Sequence, residues 1–468
     1  MQIKLSFLGA AQNVTGSKYL LETENAKLLV DCGLYQEREL KGRNWSPFFM
    51  PPQSLDAVLL THAHLDHCGL LPRLVQKDFS NFIYCTAATA EITRIMLLDA
   101  GKLQEEDAEF KKRRHKKEKR KGSYPEIPLY TQEDAEAVFP LFSPVKYGQP
   151  VEIGEGIEAS FHDAGHVLGS SMVRLKIEQN GEQRTILFSG DIGRWSKPML
   201  NDPTLFDEAD YVVVESTYGD RLLEPLEDTA EEFAEIINAT ANKGGNIIIP
   251  SFALERSQEI LYYLNKFRLE GRIPHLPVFV DSPMAISITE VFGNYPQLFD
   301  GEMKKLLSQE KSPFDFPELK LTRTTEESKQ LNHLTGSNII IAGSGMCTGG
   351  RIKHHLVNNI TKEEATVLFV GYQAFGTLGR YIVDGAKTAR ILGQHYPVRA
   401  RIAQVHGFSA HADRDELIKW LSSLGKPPRR VFVTHGELKA SKNLAGLVRE
   451  GKGWETLVPR YRQQVLLD

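Results

Sequence analysis

The stretch Thr61-His62-Ala63-His64-Leu65-Asp66-His67-Cys68-Gly69 places three imidazoles and one carboxylate within six residues. These are the ligand types that zinc takes, and a zinc site that keeps a coordination position open is a catalytic one. A lone histidine is ordinarily packed or solvated. The spacing His-x-His-x-Asp-His instead points to bound metal, with a single-metal site as the weaker alternative to a pair. The apolar run Ala57-Val58-Leu59-Leu60 precedes the motif and reads as the end of a buried strand. Gly69-Leu70-Leu71-Pro72 follows and opens a helix-like segment. A strand-to-helix loop of this kind can aim four side chains at one place.

The elements that must position these groups are legible around it. Strands are expected at Ile3 to Leu8, Lys18 to Glu22, Lys27 to Val30 and Ala57 to Leu60, and a long helix at 86 to 105. The third strand ends in Asp31. This residue is either a turn cap or the acceptor for the outer N–H of a ligating histidine, fixing its tautomer. Thr131 reads as the N-cap of a short helix. A strand near Ile157 to Phe161 leads into Asp163-Ala164-Gly165-His166-Val167-Leu168-Gly169. A hairpin follows, Val173 to Ile177 and Thr185 to Phe188 about Asn180-Gly181, and ends in Ser189-Gly190-Asp191-Ile192-Gly193. Asp191 on its own reads as a turn residue.

The first motif resembles the signature of the metallo-β-lactamase fold. In that family the first two histidines hold one zinc and the Asp-His pair a second. The resemblance implies that His62, His64 and His166 hold the first ion, that Asp66 and His67 hold the second, and that Asp191 bridges them. It also favours the tautomer-fixing role for Asp31, because family members carry an aspartate at the matching strand end.

From about Ala209 short apolar strands alternate with amphipathic helices. The strands are Tyr211 to Val214, Asn246 to Pro250, Pro277 to Val280, Asn338 to Ala342 and Ala365 to Gly371, with helices at 229 to 242, 256 to 268 and 285 to 292. That rhythm predicts a parallel sheet covered on both faces. With Gly407-Phe408-Ser409-Ala410-His411 and Val433-Thr434-His435-Gly436-Glu437 following, the whole chain resembles the β-CASP branch of the superfamily, which consists of nucleases. The resemblance implies an α/β architecture. An αββα metallo-β-lactamase sandwich at 1–208 and 384–468 would carry an inserted α/β β-CASP domain, mainly of parallel strands, at 209–383.

The branch's motifs match residue by residue. Glu215, in Val214-Glu215-Ser216-Thr217, matches the acidic motif. His411 matches the late histidine of the Phe-Ser-x-His loop, and His435 the closing ligand of the second zinc. RNA-directed members carry histidine at this last position, so His435 points to RNA. Arg256 falls where the family contacts nucleic acid, Ser409 could bond a phosphate, and Gly349 and Gly350 belong to a glycine-rich loop able to approach a phosphate backbone. His354 and His355 are expected at the surface or in an RNA groove without a role. His162, His395 and His406 are not expected as ligands.

The expected function is a zinc-dependent ribonuclease. Two Zn²⁺ per chain, partly neutralised by Asp66 and Asp191, leave a net positive site suited to a phosphodiester. They lower the pKa of a shared water toward neutrality. The attack is expected from a bridging hydroxide. His411, oriented by Glu215, is expected to protonate the leaving ribose oxygen; otherwise it is a histidine in a polar loop. The catalytic residues are thus Asp66, His411, Glu215 and Asp31. The cleft is expected between the domains, admitting single-stranded RNA, with cleavage endonucleolytic. The alternatives are a 5′-exonuclease or DNA nuclease of the same branch, a small-molecule ester or thioester hydrolase of the fold, and a non-catalytic RNA-binding subunit, which the intact ligand set disfavours.

Composition bounds these readings. The 468 residues exceed one ordinary core, so two domains are expected. No apolar run of about 18 residues suggests a membrane span. Cys32, Cys68, Cys85 and Cys347 are scattered, which argues against a disulfide framework and for a reducing cytoplasm. A net charge of −4 does not advertise a nucleic-acid binder. The basic run from Lys111 to Lys121, however, is either a phosphate grip or a solvated excursion between two helices. The short stretch after His435 and the early start of the fold lead to the expectation of neither the extra C-terminal domain of ribonuclease J nor an N-terminal KH extension. The sequence is compatible with a homodimer and does not fix the oligomeric state.

Overall fold

The computed structural model describes residues 2–118 and 125–468. These form two compact units. The first comprises the chain up to Trp195, Asp202–Leu222 and His411–Asp468; the second comprises Ser196–Asn201 and Leu223–Ala410.

The first unit is built on two sheets, each of seven strands among the described residues. One sheet runs Gln464–Leu467, Ile3–Phe7, Tyr19–Glu22, Lys27–Val30, Ala57–Leu59, Phe82–Thr86 and Phe142–Val145. The other runs Thr456–Leu457, Arg430–Val433, Tyr211–Val214, Glu182–Phe188, Ser171–Gln179, Ile157–Asp163 and Val151–Gly154. Side chains alternate across a strand, so each sheet offers two apolar faces. Leu28, Val30, Phe7 and Tyr19 from one sheet meet Phe161, Leu175, Phe188 and Phe432 from the other in a common core. The alternate residues Leu29, Val58 and Leu60 pack outward with Leu97 and Ala100 of the helix Ala87–Glu118. Leu187, Val212, Val214 and Val433 pack outward with Leu417, Trp420, Leu444 and Val448 of the helices Arg414–Leu421 and Leu438–Lys452. Helix, sheet, sheet, helix is the αββα arrangement the sequence predicts.

The second unit holds six mutually parallel strands, in the order Leu319–Leu321, Val278–Val280, Ile339–Ala342, Ile247–Pro250, Thr366–Val370 and Arg401–Val405. The central strands are buried along their whole length, as parallel strands covered on both faces must be. Leu226–Ala241, Arg256–Leu269 and Pro283–Asn294 supply helices at the expected places.

Tyr211–Val214 was expected to open the inserted domain, but it lies in the first unit. It pairs in parallel with Glu182–Phe188 on one side and Arg430–Val433 on the other. Arg401–Val405 was expected in the returning segment. It adds instead to the parallel sheet of the second unit, beside Thr366–Val370. In both cases pairing across long sequence separations decides the assignment, and periodicity carries no information about it. The long helix continues to Glu118, so Lys111 to Lys117 are helical residues and not an excursion. Three i,i+4 ion pairs, such as Arg113 with Glu109, line this exposed stretch. Lys119 to Lys121 lie outside the described residues. The hairpin turns at Asn180 and Gly181, both at positive φ, as a tight two-residue turn requires. Thr131 caps its helix in a reciprocal box with Asp134.

Among the described residues no helix is long and apolar enough to cross a membrane. All four cysteines are buried and unbonded to one another.

Candidate metal centre

The candidate residues of the first unit lie just beyond the carboxyl ends of six strands. Asp31 follows Lys27–Val30, the His62–His67 motif follows Ala57–Leu59, and His166 follows Ile157–Asp163. Asp191 follows Glu182–Phe188, Glu215 follows Tyr211–Val214, and His435 follows Arg430–Val433. Within each sheet the strands concerned point the same way, so their loops gather at a single edge. Close backbone approach holds the loops in register. A Cβ on Gly33 would stand 1.5 Å from the Asp66 carbonyl oxygen. Asp31 and His435 adopt positive φ, of 59° and 49°, to turn their side chains inward.

The donor atoms form two groups. His62, His64, His166 and Asp191 offer atoms that all lie within 4.8 Å of one another, and so do Asp66, His67 and His435. Asp191 belongs to both sides. Its Oδ2 lies 3.4 Å from His62 Nε2 and 3.6 Å from His166 Nε2, and its Oδ1 lies 3.4 Å from His67 Nε2. His67 and His435 bring their Nε2 atoms to 3.0 Å, and His435 Nε2 is 3.5 Å from Asp66 Oδ2. Among the described residues the buried Asp191 Oδ1 has no hydrogen-bond partner. A buried carboxylate oxygen left so costs free energy unless a cation satisfies it. Imidazole nitrogens facing carboxylate oxygens at this spacing fit divalent metal.

Electrostatics divide the histidines. Burial, with the neighbouring imidazoles, pulls His62 down to about 3 and His64 to about 4, and pushes His166 well below its ordinary value. Their nitrogen lone pairs are therefore available as ligands at neutral pH. Burial opposes protonation of His67 too, but Asp191 and Asp31 outweigh it and raise His67 well above the ordinary value. Asp191 is buried as well, and His435, His67 and His62 hold it ionised.

The supporting residues are well placed. His67 Nδ1 donates to Asp31 Oδ2 at 2.7 Å, leaving Nε2 to face the cluster. Asp31 in turn accepts from the backbone and hydroxyl of Thr61. Thr61 was not singled out from the sequence, although it stands directly before the motif; a hydroxyl one residue ahead of a ligand was the available signal. Thr217, 3.2 Å from His435 Nδ1, gave no signal. Glu215 accepts the Ile192 N–H at 2.7 Å and meets His411 Nδ1 at 3.1 Å. The His411 segment is pinned by a bridge to Gly193 and by one from Asp413 to Tyr218.

The remaining candidates belong to the second unit. Arg256 opens the helix Arg256–Leu269, with its side chain largely buried and Nη1 3.5 Å from Glu259 Oε2. Ser409 is buried. Gly350 has φ of 75°, and a Cβ there would meet the Gly343 oxygen at 2.3 Å, whereas Gly349 has open space around it. His354 is exposed, but His355 is not the surface residue expected. It is buried with Nε2 2.6 Å from Asp281 Oδ2, and Arg351 donates to the same carboxylate. An aspartate at the end of Val278–Val280 attracts it inward, which helix periodicity alone does not reveal.

This fold and this donor set define a metal-dependent hydrolase. Residues 20–218 match the metallo-beta-lactamase superfamily domain, 257–382 the Beta-Casp domain and 395–459 the Zn-dependent metallo-hydrolase RNA specificity domain. The chain belongs to the β-CASP branch of the metallo-β-lactamase superfamily. It is 39% identical to ribonuclease TTHA0252 of Thermus thermophilus over 98% of both chains. It is 32% identical to the transcription termination factor FttA of Methanocaldococcus jannaschii, over 98% of this chain and 70% of that one. An RNase J-like protein of the latter organism is 30% identical over 97% and 96%. A solved structure of a protein of unknown function from Enterococcus faecalis V583 shares the fold over both full chains, with TM-score 0.57 and 13% identity.

Proposed function

We propose that the protein is a zinc-dependent ribonuclease that cleaves single-stranded RNA internally. The observation that carries the reading is Asp191, whose two carboxylate oxygens face separate histidine groups and which lies next to the His411–Glu215 pair. The full-length likeness to a ribonuclease supports RNA as the substrate. His62, His64 and His166 would hold one ion and Asp66, His67 and His435 a second, with Asp191 shared. Such a pair supplies Lewis acidity and an acidified water at neutral pH.

The chain's own residues do the rest. Asp31 holds His67 in the tautomer that turns Nε2 to the ion. His411 carries a proton at neutral pH. Burial alone would lower its pKa, but the Glu215 carboxylate, aided by Asp191 and Asp66, pushes it up to about 9. A protonated imidazole in this position can donate to the departing ribose oxygen. Glu215 is fixed by the backbone of Ile192 and so fixes the ring in turn.

The test is a product-length assay. An RNA of defined sequence is offered linear, labelled at either end, and circularised, with wild type and Asp191→Ala side by side. Cleavage of the circle by wild type alone is the expected result. Cleavage of the linear form alone would replace this reading with an exonuclease, and cleavage of neither, with zinc bound, would replace it with a small-molecule hydrolase or an enzyme that needs a partner.

A further inference from the structure

A pocket lined by none of the candidate metal-binding residues lies in the first unit. It is a cleft of about 40 Å³, room for a small group such as a phosphate but not for a whole nucleotide. Lys18, Arg43, Arg73 and Arg462 line it, and no aspartate or glutamate does. In a chain of net charge −4, four cations converging without a carboxylate require an explanation. Among the described residues none of the four makes an ion pair. Lys18 donates to the Gly33 carbonyl at 2.6 Å and lies 4.7 Å from the centre of the Tyr35 ring. Arg43 stacks over Tyr461 at 3.9 Å, and Arg73 donates to the Asn44 carbonyl. The nearby acidic Glu37 is engaged by Asn13, Val14 and Thr15.

Lys18 is the clearest sign of a missing partner. It is 7% exposed, and a buried ammonium without a counter-ion is costly. Burial, reinforced by Arg43 and Arg73, pulls its pKa down to about 8, so it is still charged at neutral pH. Arg462 stands at the mouth, exposed and with φ of 64°, its backbone N–H bonded to the Phe7 carbonyl. A non-glycine residue held in that conformation is strained, and here the strain presents a guanidinium to the cleft. Around the cations stand aromatic faces: Tyr461, half-buried Phe48, and Phe49, which is 42% exposed.

We propose that this cleft is the phosphate pocket of a nucleotide-binding site separate from the metal centre, in which the cations take a phosphate and Phe48 and Phe49 stack against the base. Arginine recognises phosphate oxygens through its fork of donors, and aromatic faces accept any base. The nucleotide is either free in solution or one unit of a strand whose remainder lies elsewhere on the protein. The site does not depend on what the metal centre cleaves.

The test is equilibrium binding to the full chain in zinc-containing buffer, using adenosine monophosphate and a cleavage-resistant single-stranded phosphorothioate oligonucleotide as probes. Proteins compared are wild type, Asp191→Ala, Arg462→Gln and the double variant Arg43→Gln/Arg462→Gln. The expected result is binding that survives Asp191→Ala, weakens at least threefold in Arg462→Gln and at least tenfold in the double variant. Arg462→Lys should restore part of the loss. Because Arg462 is exposed, its single variant keeps the test valid if the double variant misfolds. Sensitivity for the mononucleotide supports a free-nucleotide site, and sensitivity for the oligonucleotide alone supports a strand-binding site. Absence of binding by both probes, or equal binding by wild type and Arg462→Gln, overturns the proposal. RNA cleavage by wild type, measured alongside, reports separately on the reading of the metal centre.

Discussion

His411 Nδ1 stands 3.1 Å from Glu215 Oε1, although the two residues are 196 positions apart in the chain. A carboxylate buried to 1% exposure thus faces an imidazole that also comes within 3.9 Å of Asp191 Oδ2. The pair holds an imidazole beside the candidate metal-binding residues and outside both of their donor groups.

Removing the imidazole should therefore separate chemistry from metal binding. His411→Ala is expected to retain metal and lose about 10²- to 10⁴-fold in cleavage rate, the usual worth of a positioned general acid. Asp191→Ala is expected to lose metal as well as activity. Elemental analysis of the two purified variants beside a cleavage assay checks this; equal metal loss in both would refute the division of roles.

Asp31→Asn should act through His67. Asparagine tolerates the positive φ at this position and can still accept the Thr61 N–H, so the fold is expected to hold. The charge that orients and polarises His67 is lost. Metal affinity should fall about 10- to 100-fold, with activity recovering at excess metal. A titration of activity against free zinc reads this directly.

Gly33→Ala tests the loop packing. A Cβ would sit 1.5 Å from the Asp66 carbonyl oxygen and 2.8 Å from the Ser17 nitrogen, so backbone must move. Asp66 carries its side chain toward His435, and the displacement should weaken the ion held by Asp66, His67 and His435 more than that held by His62, His64 and His166. Metal stoichiometry should drop from two toward one per chain while circular dichroism is retained.

Lys18 supplies a pH signature. Its pKa falls from the ordinary 10.5 to about 8 on folding because of burial. Between these values the unfolded chain binds the proton and the folded chain does not, so stability rises with pH across that window. Relative to Lys18→Met, wild type should gain about 3 kcal/mol between pH 8 and pH 10.5. Denaturant melts of both proteins at several pH values measure the difference. No difference in slope would show that Lys18 is solvated or paired.

Much was legible beforehand for identifiable reasons. The His62–His67 motif lies on one short loop, so sequence spacing and spatial spacing nearly coincide there. Strands such as Lys27–Val30 and Ile247–Pro250 announce themselves by apolar runs, and the hairpin by Asn180-Gly181. The pairing partners of Arg401–Val405 and Tyr211–Val214, distant in sequence, assign the two strands to different units. His355 sits on a helix of mixed polarity, and its buried bond is to Asp281, 74 residues earlier at the end of a strand.

The sequence alone determined the chemistry on offer: which residues can bind metal, which strands can form, and how the helical and extended segments alternate. The tertiary structure decided which donors share a centre. Asp191, His166, Glu215, His411 and His435 each stand in a different segment, so spacing along the chain does not group them, although the motif resemblance does. His166, Asp191, Glu215 and His435 come to one edge because the strands that carry them run the same way within one sheet. The shared core of Phe7, Phe188 and Phe432 presses the two sheets together, so that their loops emerge at one edge. The same packing buries Lys18 and brings Arg43 and Arg462 to one cleft from opposite ends of the chain. No pattern in the sequence could have shown that meeting, because it follows from the pairing of the strands Gln464–Leu467 and Ile3–Phe7.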